Sequence, residues 1–126
     1  MIAGIGIDII EIRRIKDGYK KFGDNFLTKI FTDAELEYCS KFKKNFESLA
    51  GKFSVKEAFM KAIGSGIRQG VWFKDIEVLN LPTQAPYIKL HNIAQKKHQK
   101  LGSPDIHISI THTAKTAAAI VILEQK

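Results

Sequence analysis

The alternation of hydrophobic and polar positions opens the chain on a strand. From Ile2 to Ile10, successive side chains point to opposite faces. Ile5, Ile7 and Ile9 share one face; Ile2, Gly4, Gly6, Asp8 and Ile10 share the other. The isoleucine face is expected to be core, and the glycine face to leave room for a ligand beside Asp8. A basic helix is predicted from Glu11 to Phe22, with Gly23 as its stop. After the short segment DNFLTKIF, Thr32 followed three residues later by Glu35 is a capping-box signal for a second helix. A long helix is expected from near Glu47 through SLAGKFSVKEAFMKAIG, closed by Gly64, with GSGIRQG as loop. FKDIEVLNL and APYIKL read as two strands joined by a turn at PTQ, HNIAQKKHQKLG as a helix ending at Gly102, and DIHISITH and TAAAIVIL as two further strands. The resulting fold class is α+β, a mostly antiparallel sheet packed with helices, in a single domain over residues 1–126.

Composition narrows the setting. The chain has 126 residues, 44% of them hydrophobic and 26% charged, in the range of an ordinary globular protein. No run approaches the ~18 apolar residues of a membrane span. The N-terminus carries no signal-peptide pattern, and the single cysteine, Cys39, excludes an intrachain disulfide. A cytoplasmic location is expected. The net charge of +7 favours an anionic partner. Nucleic acid, an acidic protein and a phosphorylated small molecule all satisfy it.

Candidate chemistry centres on three residues. An ionised carboxylate inside an apolar strand is costly unless something pairs with it, so Asp8 is an anomaly. Its plain readings are an edge position facing water or a helix cap. Glu57 and Lys61, spaced i, i+4, project from one face of the long helix, and their plain reading is a surface ion pair worth about 0.3–0.5 kcal/mol. Taken together, Asp8 and Glu57 suggest a site for a hard cation such as Mg²⁺, which binds one or two carboxylates and is completed by waters and phosphate oxygens. Lys61 suits a phosphate or its developing charge. The histidines His91, His98, His107 and His112 have no zinc-like spacing. The GSG of Gly64–Gly66 lacks the GK[ST] element of a P-loop, and Cys39 has no basic setting that marks a nucleophile.

GIGIDIIEIRRI near the N-terminus, FSVKEAFMKAIGSGI in the middle and HISITHT near the end, in that order and at this length, resemble the holo-[acyl-carrier-protein] synthase family, the short class of 4′-phosphopantetheinyl transferases. The resemblance implies transfer of phosphopantetheine from coenzyme A (CoA) to a serine of acyl carrier protein, with release of 3′,5′-ADP, in support of fatty acid synthesis. By the same resemblance Asp8 and Glu57 bind Mg²⁺, Lys61 contacts the reacting phosphate, and Gly64, Ser65, Gly66 and His112 help to hold CoA. Arg13, Arg14, Lys20 and Lys21 receive the acidic carrier. The family forms homotrimers with sites between subunits, so His112 would serve a neighbour's Asp8 and Glu57. Phe53 stands where larger relatives often carry Trp, and Lys52 where Arg is common in the short class; both touch only the finer CoA contacts.

Such a reaction needs no enzyme nucleophile, in keeping with the lack of a Ser/His or Cys/His pair. It needs charge neutralisation, in-line positioning and a base. Glu57 or a metal-bound water is the candidate base, and Lys61 the stabiliser of the departing phosphate. Two rival classes remain at the level of sequence. A nucleic-acid-binding module explains the charge but not Asp8 and Glu57, which would repel phosphate without a metal. Another Mg²⁺-dependent phosphotransfer or phosphohydrolase enzyme is separated by CoA dependence.

Overall fold

A computed structural model describes residues 1–43 and 45–126. The chain runs β1 (Ile2–Glu11), α1 (Ile12–Phe22), α2 (Asp24–Ile30), α3 (Asp33–Ser40), α4 (Asn45–Ile63), β2 (Ile76–Asn80), β3 (Pro86–Leu90), α5 (Asn92–Lys100), β4 (Asp105–His112) and β5 (Thr116–Glu124), with 3-10 turns at Ile67–Gln69 and Phe73–Asp75. β1, β5 and β4 form an antiparallel sheet in that order, and β2 and β3 a separate antiparallel hairpin. The α+β expectation holds. The departures are local: DNFLTKIF is a helix, FKD winds into a 3-10 turn before β2, and β1 extends through Glu11.

The core lies between α4 and one face of the three-stranded sheet. Val55, Ala58 and Phe59 of α4 pack on Ala119, Val121 and Leu123 of β5 and on Val78 of the hairpin, all at most 3% exposed. A fully buried Val, Leu or Phe contributes about 1.5–3 kcal/mol. A second cluster joins Ile10, Ile15, Phe31, Cys39 and Leu49 under α1, α2 and α3. The start of α3 is the expected capping box: Glu35 N–H donates to Thr32 Oγ1 at 3.2 Å, and Thr32 N–H to Glu35 Oε1 at 2.8 Å.

The two faces of β1 are the reverse of the expectation. Ile5, Ile7 and Ile9 are exposed at 58%, 63% and 69%, while Gly6 is buried against α4. A Cβ built on Gly4 would lie 2.2 Å from the Ala62 carbonyl oxygen, and one on Gly6 1.7 Å from that of Ala58. The glycines therefore admit a helix backbone; they do not clear space for a ligand. The uncovered face continues across β5, where Ala118, Ile120 and Ile122 stand opposite Ile9, Ile7 and Ile5. The result is an apolar stripe, exposed along β1 and half-buried along β5.

Candidate functional site

Asp8, Glu57 and Lys61 meet beside the β1–α4 seam. β1 brings Asp8 there on its glycine face, and α4 brings the other two one turn apart. Lys61 Nζ donates to the Ile7 carbonyl at 2.9 Å, supplying a donor to an edge strand, and lies 3.5 Å from Asp8 Oδ1. The Asp8 side chain is only 15% exposed, that of Lys61 55%. Burial pushes the Glu57 carboxyl above its ordinary range, the Asp8 charge pushes the same way, and Lys61 pulls against both.

Asp8 and Glu57 are the two carboxylates here that could hold a cation. Two neighbouring carboxylates disfavour each other's ionised form, and a positive ion between them removes the conflict. Both are hard oxygen donors suited to Mg²⁺. Among the described residues, no group of three or more His, Cys, Asp or Glu gathers to hold a metal. Two carboxylates are a number that suits an ion completed by waters and phosphate oxygens.

The carboxylate and lysine open onto a pocket of about 430 Å³ whose wall includes Gly64, Ser65, Gly66 and Arg68. Gly64, at φ +67°, closes α4: its N–H bonds to Lys61 O and that of Ser65 to Met60 O. The Gly66 N–H is taken by Gln69 Oε1 at 2.7 Å. All three amides are used within the loop, so a phosphate here would meet the cations Lys61 and Arg68 in place of an amide cradle. Arg68 was not among the sequence candidates; its one signal was a lone cation two residues after the GSG turn.

His112 stands elsewhere. It lines a groove of about 520 Å³ with Tyr38, Lys52, Asn80, Pro86 and Ser109, and its Nδ1 lies 3.2 Å from Glu47 Oε1. Within one chain it does not join Asp8 and Glu57. The other histidines tie structure together: His91 to Glu77, His98 to the Pro104 carbonyl, His107 to Glu124.

Arg13, Arg14, Lys20 and Lys21 are exposed on α1, with Arg13 3.1 Å from Glu11. No sequence pattern pointed to what lies beyond the end of that helix: an apolar cleft of about 610 Å³ lined by Phe22, Phe26, Ile30, Ile67, Trp72 and Phe73. Phe22 and Trp72 are exposed at 59% and 58%. Cys39 is buried and free, and burial pushes its thiol from 9.0 up to about 11 against the pull of Lys52, so it is no nucleophile.

Comparison with known proteins gives one answer over the whole chain. The model of the 4′-phosphopantetheinyl transferase superfamily matches residues 4–120. The holo-[acyl-carrier-protein] synthase of Solibacter usitatus is 45% identical over 124 residues, 98% of this chain and 99% of that protein. Among solved structures, the holo-(acyl-carrier-protein) synthase of Bacillus anthracis in complex with CoA (3′,5′-ADP) superposes with a TM-score of 0.80 at 38% identity, covering 100% of this chain and 99% of that one. The Helicobacter pylori holo-[acyl-carrier-protein] synthase in complex with coenzyme A gives 0.83 at 35% identity, covering 95% and 99%.

Proposed function

The chain belongs to the 4′-phosphopantetheinyl transferase superfamily, and we propose that it transfers the 4′-phosphopantetheine group of CoA to a serine hydroxyl of an apo acyl carrier protein, releasing 3′,5′-ADP. The observation that carries this reading is the meeting of Asp8, Glu57 and Lys61 at the mouth of the 64–69 pocket, in a chain matched end to end by such transferases. Residues 1–126 act as one transferase domain.

Asp8 and Glu57 would hold Mg²⁺, which when bound neutralises and polarises phosphate oxygens. The protein's own groups do the rest. Lys61 and Arg68 draw the CoA phosphates into the pocket, and Lys61 stabilises charge on the departing phosphate. The Glu57 carboxylate accepts the serine proton. Gly64, Ser65 and Gly66 shape the wall that CoA lies against.

The functional unit is a homotrimer. Its support is the uncovered stripe of Ile5, Ile7, Ile9, Ala118, Ile120 and Ile122, too apolar to face water as a free surface. In that assembly the His112 groove of one copy serves the Asp8–Glu57 pocket of its neighbour. The acidic carrier docks on Arg13, Arg14, Lys20 and Lys21, and the cleft beside Phe22 and Trp72 takes an apolar side chain of the carrier. The setting is cytoplasmic; the free buried thiol of Cys39 is compatible with it. No helix of the described residues is long and apolar enough to cross a membrane.

The test is to incubate the purified protein with CoA, Mg²⁺ and an apo acyl carrier protein and to weigh the carrier. A mass gain of one phosphopantetheine, lost with EDTA, is expected. No gain with several apo carriers, from a folded protein, would overturn the reading in favour of another phosphotransfer or phosphohydrolase activity.

A further inference from the structure

Lys56 precedes Glu57 on α4 yet points the opposite way, into the core. It is 0% exposed. Its ammonium has three acceptors: Glu35 Oε1 at 2.9 Å, the Phe73 carbonyl at 2.9 Å and the Ile76 carbonyl at 2.6 Å. Glu35, also 0% exposed, is equally filled: Oε1 accepts from Thr32 N–H as well, and Oε2 accepts from Val78 N–H at 2.8 Å.

A buried pair of this kind is a poor way to gain stability. Stripping two ions of water costs about what their attraction returns, and apolar replacements of similar volume often serve as well. What such a pair does supply is geometry, because each partner tolerates only one arrangement of its neighbours. Here one of those neighbours, Phe73, is the far end of the loop that walls the Glu57–Lys61 pocket. That loop leaves α4 at Gly64 and is fastened there by Ser65 N–H to Met60 O. It is tied across its middle by Val71 N–H to Gly66 O. Its far end is fastened by Lys56 to the Phe73 carbonyl and by Asp75 Oδ2, which accepts from Trp72 N–H at 3.1 Å. Lys56 thus joins the helical turn that carries Glu57 to the segment that returns from the pocket.

We propose that the buried Lys56–Glu35 pair is a positioning device for the reaction: it fixes the 64–73 loop against the turn of α4 that presents Glu57 and Lys61, and so sets the width of the phosphate pocket. Neither residue touches substrate. The inference rests on the pocket being the CoA phosphate site.

The test compares the wild type with Lys56→Met, with the matched pair Lys56→Met/Glu35→Gln, and with Lys56→Arg. The matched pair removes both charges together, so it leaves no ion buried without its partner. Three quantities are read: melting temperature, CoA affinity by calorimetry in Mg²⁺ without carrier, and hydrogen exchange of segment 64–73. The expected result for the folded matched pair is a loss of roughly tenfold in CoA affinity and faster exchange at Ser65, Gly66 and Val71, with Lys56→Arg restoring part of both. A matched pair that is folded, binds CoA as tightly as the wild type and exchanges no faster would overturn the inference. A wild type that binds no CoA at all would instead overturn the function on which it rests.

Discussion

Gly6 of β1 faces the carbonyl oxygen of Ala58, the residue after Glu57, so closely that a methyl group on Gly6 would stand 1.7 Å from it. The strand carrying Asp8 and the helix carrying Glu57 touch backbone to backbone at this point. Gly6→Ala is expected to force α4 off the sheet and cost about 4 kcal/mol or more, the range reserved for changes a core cannot absorb. Gly66→Ala, whose added atom meets nothing closer than 3.9 Å, is the contrasting control and should melt near the wild type. Thermal unfolding followed by circular dichroism distinguishes them.

Asp8→Asn and Lys61→Ala should each reduce carrier modification by roughly 100–1000-fold, the usual loss when one group aimed at developing charge is removed. Both should fold normally, because an ion pair 3.5 Å apart whose lysine is half exposed adds little stability. Single-turnover mass spectrometry alongside a thermal melt checks both halves of the statement.

Ile7→Glu places a charge in the middle of the uncovered stripe. On the trimer proposed above, sedimentation should shift from trimer to monomer, and transfer activity should fall with the loss of the neighbour's His112 groove. An unchanged sedimentation coefficient would remove the trimer reading.

Arg14→Glu reverses a charge on the exposed face of α1. KM for the carrier protein should rise and its salt dependence flatten, while KM for CoA stays close to the wild type. Equal rises in both would sink the docking assignment.

The Cys39 thiol, pushed by burial from 9.0 to about 11, stays protonated in the fold when the unfolded chain has released its proton. The stability it contributes is complete below pH 9 and is lost as the pH rises toward 11, by about 2–3 kcal/mol in all. Lys52 and Lys56, lowered by burial, titrate with the opposite sign. The difference between wild type and Cys39→Ala in urea unfolding at pH 8 and pH 10.5 isolates the thiol.

Asp8 was legible in the sequence because it breaks an apolar pattern, and Glu57 with Lys61 because helical spacing puts them on one face. The orientation of β1 was not. Alternation separates two faces of a strand but does not say which one a helix covers, and bulk pointed the wrong way: the isoleucines are outside and the glycines admit α4. The Thr32–Glu35 capping box was visible as a local signal, but the second duty of Glu35, toward Lys56 twenty-one residues on, was not. Charges that pair across the core leave no periodic trace. The helix of Asp24–Ile30 was missed for a simpler reason: seven residues are too few to display a helical period.

The glycine seam also has a mechanical side. Away from the Gly4–Ala62 and Gly6–Ala58 contacts, side chains lie between helix and sheet, and they can change rotamer when a neighbour gains or loses a methylene. Between Gly6 and Ala58 there is no such filling, only two backbones in contact. The seam has nothing in it to compress or slide, so the separation of strand and helix is as stiff as the peptide units themselves. Asp8 and Glu57, riding on either side of that joint, work like jaws mounted on a solid hinge pin.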